Sequence, residues 1–277
     1  MARKLFCEWH PVTYQLSVTK NILLRRIKWL LDGRKYASTY IEQHLPTIIY
    51  QHKSLIRRKI GNVDMQLQEN KATNLKLAAP KMTHIIIRPQ EVFSFWKLVG
   101  KCTSSKGFKE GLVIRGGKVD QGIGGGMCQF TNLIHWMVLH SPLEITEHHH
   151  HHQRDMFPDY GRQIPFGTGT SIMYNYLDYQ FINPTTQSFQ LIVYTTEEYL
   201  CGELRSENKI DVTYHIKEQN HYFEKQGDNY YRNNEVYREI FDKQTGILLK
   251  KELIIKNHSK VLYEEQFIPE NLIRQAL

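Results

Sequence analysis

The chain has no run of roughly 18 apolar side chains, so no transmembrane helix is expected. Near its start Arg3 and Lys4 are followed by Glu8, His10 and Pro11. These interrupt any apolar core of a secretory signal, and a cytoplasmic protein is therefore expected. Cysteine is scarce: Cys7, Cys102, Cys128 and Cys201 lie far apart with no Cys-x-x-Cys pair, which fits reduced thiols rather than a disulfide framework or a structural zinc site. No RNP, zinc-finger or helix-turn-helix pattern is present. The 36 basic against 28 acidic residues, net +8, form a dispersed excess, so nucleic acid is not an expected partner. The balance remains compatible with anionic lipid or an acidic polymer. Repeats and low-complexity tracts are absent apart from five histidines.

What is present centres on 121–140. Gly124, Gly125 and Gly126 have no helical or strand propensity, whereas the stretch from Met127 to Ser141 contains no glycine or proline. Phe130, Leu133, Ile134, Met137 and Val138 recur at helical spacing, which predicts a glycine loop feeding a helix with Cys128 in its first turn. A thiol there lies among unpaired N–H groups at the positive end of the helix dipole, which favours thiolate. Gly125 and Gly126 would leave its approach open, and the N–H groups of Cys128 and Gln129 would hold an oxyanion. Cys128, Thr131, Asn132 and His135 share the polar face, which suggests a cleft beside the sulfur. A free cysteine is also among the most often buried residue types, and a purely packed Cys128 is the competing expectation.

Elsewhere, 1–20 reads as irregular. Residues 21–32 form a basic amphipathic helix stopped by Gly33, which can lie on an anionic membrane or, more commonly, pack on its own domain. A second helix is expected over 48–58 and a third over 64–79. A strand is expected over 84–87, and another over 112–114 entering a Gly116-Gly117 hairpin turn. The aromatic cluster at 91–96 reads as core. A second glycine-rich loop spans 164–170, and the last third reads as an antiparallel β-meander.

His148–His152 invite a metal site, but histidines in direct succession fan out on either a helix or a strand, and no His-Glu-x-x-His spacing exists. No metal and no cofactor are expected. A cysteine nucleophile needs just one imidazole and an orienting group, which Glu147 and the run supply.

Several segments together resemble the VanW family, whose name comes from a B-type vancomycin-resistance gene cluster. The stretch Pro89 to Gly100 resembles its "PGEvFSFwklvG", Gly107 to Ile114 its "GykeGlvi", and Gly124 to Gln129 its "GGGxCQ". Glu147 with His149 and His151 fits its "ERxxH/ERHxH". Pro165 to Ile172 resembles "PxGxDATv", with Gly169 where many relatives carry Asp, and Asp178 with Asn183 resembles "DlxxxN". The resemblance implies a link to glycopeptide resistance or cell-wall metabolism, and L,D-transpeptidase chemistry with Cys128 as nucleophile. The expected base is His151, or His149, with Glu147 as orienter. Gly125, Gly126, Gln129, Asn132, Gly167 and Thr168 are expected at the oxyanion and substrate positions. The partner implied is a peptidoglycan peptide or precursor. A non-catalytic protein binding such a precursor, and a metal-dependent protein using the histidine run, are the alternatives.

The fold expected is α+β, with N-terminal helices and a central Cys-bearing helix packed on a mostly antiparallel second half. Residues 1–60 would be a basic helical extension, 61–203 the VanW-like core, and 204–277 a β-rich segment packed on it.

Overall fold

Pro11 fixes φ for a first helical position, and His10 caps it: Nδ1 of His10 accepts from the Val12 N–H (3.2 Å), while Thr13 Oγ1 accepts from the His10 N–H (3.0 Å). The helix expected over 21–32 therefore begins at Pro11, correcting the irregular reading of 1–20. It ends where expected, with Gly33 at φ 64° beyond the last turn. The computed structural model describes residues 5–58, 64–115, 118–150, 154–159, 161, 163–174 and 176–275.

In chain order, α1 (Pro11–Leu31) precedes β1 (Thr39–Tyr40), β2 (Thr47–Leu55), α2 (Met65–Ala78), β3 (Ile85–Ile87), β4 (Val92–Ser94) and α3 (Phe95–Val99). The hairpin β5 (Glu110–Arg115) and β6 (Lys118–Ile123) leads into α4 (Met127–Leu139), followed by β7 (Glu144–Glu147), β8 (Arg154–Asp155) and β9 (Gln180–Ile182). The chain closes with β10 (Phe189–Thr195), β11 (Tyr199–Ser206), β12 (Val212–Gln226), β13 (Asn229–Asp242), β14 (Leu248–Val261) and β15 (Ile273–Gln275). The class is α+β.

A central antiparallel sheet runs β1-β3-β10-β11-β2, and a three-stranded sheet β4-β9-β7 lies beside it. The helix expected over 48–58 is instead strand β2. Thr47, Ile48, Ile49 and Tyr50 suit a pleated surface, and the free edge of β11 supplies a continuous ladder from Thr47↔Ser206 to Leu55↔Tyr199. Residues 39–55 thus complete the central sheet on both of its edges. The meander is β12-β13-β14, flanked by β15 and β8 in parallel pairing. Its first strand starts at Val212, after the central sheet has ended at Ser206.

The helix α4 is buried on nearly every side. Phe130, Leu133, Ile134, Met137 and Val138 enter the main core with Leu204 and Leu191, each contributing about 1.5–3 kcal/mol of burial. Val92, Phe93, Phe95 and Trp96 are buried as expected of core. In the hairpin, Arg115 pairs with Lys118, and the Gly116-Gly117 turn lies outside the described residues.

Candidate active site

The central glycines are packing positions rather than an open path to the sulfur. A Cβ on Gly125 would fall 2.2 Å from the carbonyl carbon of Gly111, and one on Gly126, which is left-handed at φ 97°, would fall 2.3 Å from Lys71 Cγ. Nor is the Gln129 N–H free for an oxyanion, since it donates to the Gly126 carbonyl (3.0 Å). The Gln129 side chain turns away to Ser54 Oγ (3.0 Å) and the Leu55 carbonyl (2.9 Å), joining α4 to the end of β2.

Cys128 occupies the first turn of α4, with Thr131, Asn132 and His135 following on the same face. That face is roofed rather than open. Asn132 Oδ1 accepts from the Thr170 N–H (2.7 Å) and hydroxyl (2.9 Å), and the hydroxyls of Thr131 and Thr170 bond to each other. Ser171 N–H donates to the His149 carbonyl (2.6 Å), and His148 Nε2–H donates to the Gly169 carbonyl (3.1 Å). Gly169 has room for a side chain: a Cβ would stand 3.7 Å from Asn132 Oδ1. Gly167, at φ 87°, and the buried Thr168 lie in the same loop. Thr168 Oγ1 donates to the Pro165 carbonyl (2.8 Å), and Asn257 packs against Gly167.

Burial under this loop pushes the Cys128 thiol up from its ordinary pKa, outweighing the N–H groups of Ile172 and Cys128 itself, which act in the opposite direction. The thiolate expected from the helix start is therefore not the resting form near neutrality. Among the described residues no imidazole is hydrogen-bonded to the sulfur. His151 lies outside the described residues.

Two imidazole groupings surround the site. His135, fully buried, bonds through Nδ1 to the Tyr179 hydroxyl (3.1 Å), and among the described residues its Nε2 has no partner. Burial, then the neighbouring His148 and His150, push its pKa far down, so the ring is neutral. The His148 ring lies 4.2 Å from that of His135, tilted by 32°, a contact unreadable from the run itself. His149 Nε2–H donates to Glu147 Oε1 (3.0 Å). The same carboxylate takes both Arg25 Nη groups (2.5 and 2.6 Å) and the Asp178 N–H (2.9 Å). Among the described residues no group of three or more His, Cys, Asp or Glu is placed to hold a metal ion.

Residues 70–205, from within α2 to within β11, match the family described as VanW like protein. Vancomycin B-type resistance protein VanW of Enterococcus faecalis is 30% identical over 272 residues, 98% of either chain. The chain belongs to the VanW family. Uncharacterized protein YoaR of Bacillus subtilis is 27% identical over 119 residues, 43% of this chain and 37% of that protein. No solved structure matches the chain.

Several residues in the segments that resemble VanW motifs are anchors. Asp178, fully buried, accepts from the Trp96 N–H (3.0 Å), Ser94 Oγ and Gln180 Nε2 (2.9 Å), fixing the start of α3 against β9. Asn183 donates to the Ile87 and Gln187 carbonyls (2.9 and 2.8 Å), closing the turn at Pro184. Arg25, which pairs with Glu147 from inside α1, lies upstream of all the motif segments and carries no sequence signal beyond its charge.

The Glu147 carboxyl illustrates the balance. Burial alone would raise it, but hydrogen bonds from His149, Arg25 and Asp178 N–H, with the Arg25 charge, hold it at about 2. Its folded pKa lies below that of an unfolded glutamate, near 4.3, so the stabilisation is present above that pH and fades as pH falls towards 2. With solvent screening this amounts to about 1–2 kcal/mol. Glu147→Gln should be destabilised at pH 6 yet lose little more between pH 5 and 3, whereas wild type loses stability over that window. Urea unfolding at three pH values checks this, and parallel losses in the two proteins would rule the carboxylate out as the cause.

Proposed function

We propose that this VanW-family chain serves glycopeptide resistance or cell-wall metabolism as a cysteine acyltransferase of the L,D-transpeptidase type, acting on a peptidoglycan peptide or precursor. The observation that carries the reading is Cys128 in the first turn of α4, on one face with a neutral buried His135, under a loop fastened mainly through Asn132 and Thr170. The name of the Enterococcus faecalis relative supplies the resistance link. At rest the thiol is protonated and only partly exposed, so catalysis requires the 163–172 loop to lift.

In the reaction, Cys128 Sγ attacks a peptide carbonyl beside a D- or meso-configured residue, and the thiol proton passes to an imidazole. The C–N bond then breaks as that imidazole returns the proton to the departing amine. An acceptor amine attacks the thioester, loses its proton through the same base, and releases the sulfur. His149 suits the role of base when neutral: Nε2–H is held by Glu147, which leaves Nδ1 to receive the proton. His151 is the other expected base.

A carbapenem should form a mass adduct on Cys128 and on none of Cys7, Cys102 or Cys201. Asn132→Ala, which loosens the roof, should accelerate the adduct by roughly tenfold, equivalent to about 1.4 kcal/mol of the covering hydrogen bonds. Absence of an adduct in both proteins would favour a second reading, a non-catalytic binder of a wall precursor. That reading draws on the raised thiol pKa and on the lack of an imidazole bonded to the sulfur among the described residues.

A further inference from the structure

From Trp9 to Leu31 the chain contains no acidic residue, and α1 presents two different faces over that span. The inner face is bolted down. Arg25 clamps Glu147, and Trp29 packs against the main core with Lys97 over its ring (5.0 Å). The outer face is apolar yet in water: Val12, Leu16, Leu23, Ile27, Leu30 and Leu31 are all exposed, the last two at 83% and 79%. At 100° per residue these side chains, with Leu24, fall within an arc of about 120° opposite Trp29 and Arg25. Arg26 and Lys28 stand on either border of the arc, and Lys20 lies within it. Before the helix, Phe6 and Trp9 extend the same exposed apolar character.

We infer that α1 lies in the interface of an anionic lipid bilayer, its outer stripe among the acyl chains and Lys20, Arg26 and Lys28 at the headgroups. An apolar stripe bordered by cations, on a helix without acids, is the pattern that partitions to such a surface. No helix among the described residues is long and apolar enough to cross a membrane, so α1 lies along the surface instead of spanning it. A second copy of the chain is a poorer occupant, since pairing two such stripes would set cations against cations. The Arg25–Glu147 clamp carries the consequence inward: a seated α1 holds β7 and the His149 segment next to the membrane surface. The inference does not rest on acyl transfer.

The full chain should co-sediment with vesicles of 30% phosphatidylglycerol in phosphatidylcholine and bind pure phosphatidylcholine at least tenfold more weakly. Leu23→Glu/Ile27→Glu should lower the partition coefficient at least tenfold. Lys20→Gln/Arg26→Gln/Lys28→Gln should abolish the preference for the anionic lipid. All five positions are exposed, and circular dichroism with urea unfolding should show both variants folded like wild type. Equal vesicle binding by wild type and variants would overturn the inference. So would a concentration-dependent dimer in sedimentation velocity, lost in the Leu23→Glu/Ile27→Glu variant, without any vesicle binding by wild type.

Discussion

Gly125→Ala should lose about 3 kcal/mol or more of stability, beyond the usual cost of overfilling a core, because the obstruction is backbone and cannot change rotamer. The new Cβ would lie 2.2 Å from the Gly111 carbonyl carbon and 2.4 Å from its oxygen. The surrounding backbone is held on both sides. Gly124 N–H donates to the Lys109 carbonyl (2.9 Å), and Gly126 N–H to that of Leu112 (3.1 Å). Asn74, fully buried, donates to the carbonyls of Lys109 and Gly125 (both 2.9 Å) and accepts from the Lys109 N–H (2.7 Å). Widening the gap to admit a methyl group would break several of these bonds at once. Gly126→Ala provides the contrast: its left-handed φ costs about 1–2 kcal/mol, and its Cβ would meet the stem of Lys71, a side chain rather than fixed backbone. Urea midpoints should therefore rank wild type above Gly126→Ala above Gly125→Ala. A Gly125→Ala protein within about 1 kcal/mol of wild type would show that the glycine loop before α4 does not approach β5 this closely.

Arg232→Met should destabilise the protein by about 3–5 kcal/mol, the range for removing one partner of a buried ion pair. The guanidinium, 2% exposed, sits on β13 beneath the chain that follows the histidine run. It is bidentate to Asp159 (2.8 and 2.6 Å), reaches Asp155 Oδ2 (3.3 Å), and donates through Nε to His221 Nε2 (3.0 Å). Methionine would keep the apolar contact with Phe166 and Phe223 but remove the charge that Arg232 sets against Asp155, which is itself 2% exposed and also bonded by the Tyr263 hydroxyl (2.8 Å). Asp159 is 42% exposed in its ion pair, so Asp159→Asn should cost under about 1.5 kcal/mol, because water can replace what is lost there. Comparable losses in both variants would mean that the arginine is solvated and that β13 does not bury this charge cluster. A large loss in Arg232→Met alone fits a rivet between the second sheet and residues 154–159.

The legible parts of this chain are those whose signal is local. Gly33 stops α1 because a residue without Cβ takes φ 64° at no steric cost, and the run from Met127 to Leu139 forms α4 because its apolar residues recur at helical spacing. The ladder from Glu110↔Ile123 to Arg115↔Lys118 and the meander of β12–β14 follow from turn residues between β-prone runs. Cys128 in the first turn of α4, with Thr131, Asn132 and His135 along one face, follows from the same periodicity. Tertiary structure decided the rest. Residues 47–55 became a strand because the edge of β11 offered a ladder of partners, which outweighs a local helical pattern. Glu147 became a carboxylate with its pKa held at about 2, against the upward push of burial, because folding brings to it the His149 ring, Arg25 from 122 residues earlier and the Asp178 N–H. The ionisation of Cys128 was decided in the same way. The helix start favours thiolate, but packing beneath a loop that arrives after the histidine run leaves Cys128 only partly exposed, and for a charged atom that desolvation outweighs two backbone N–H groups.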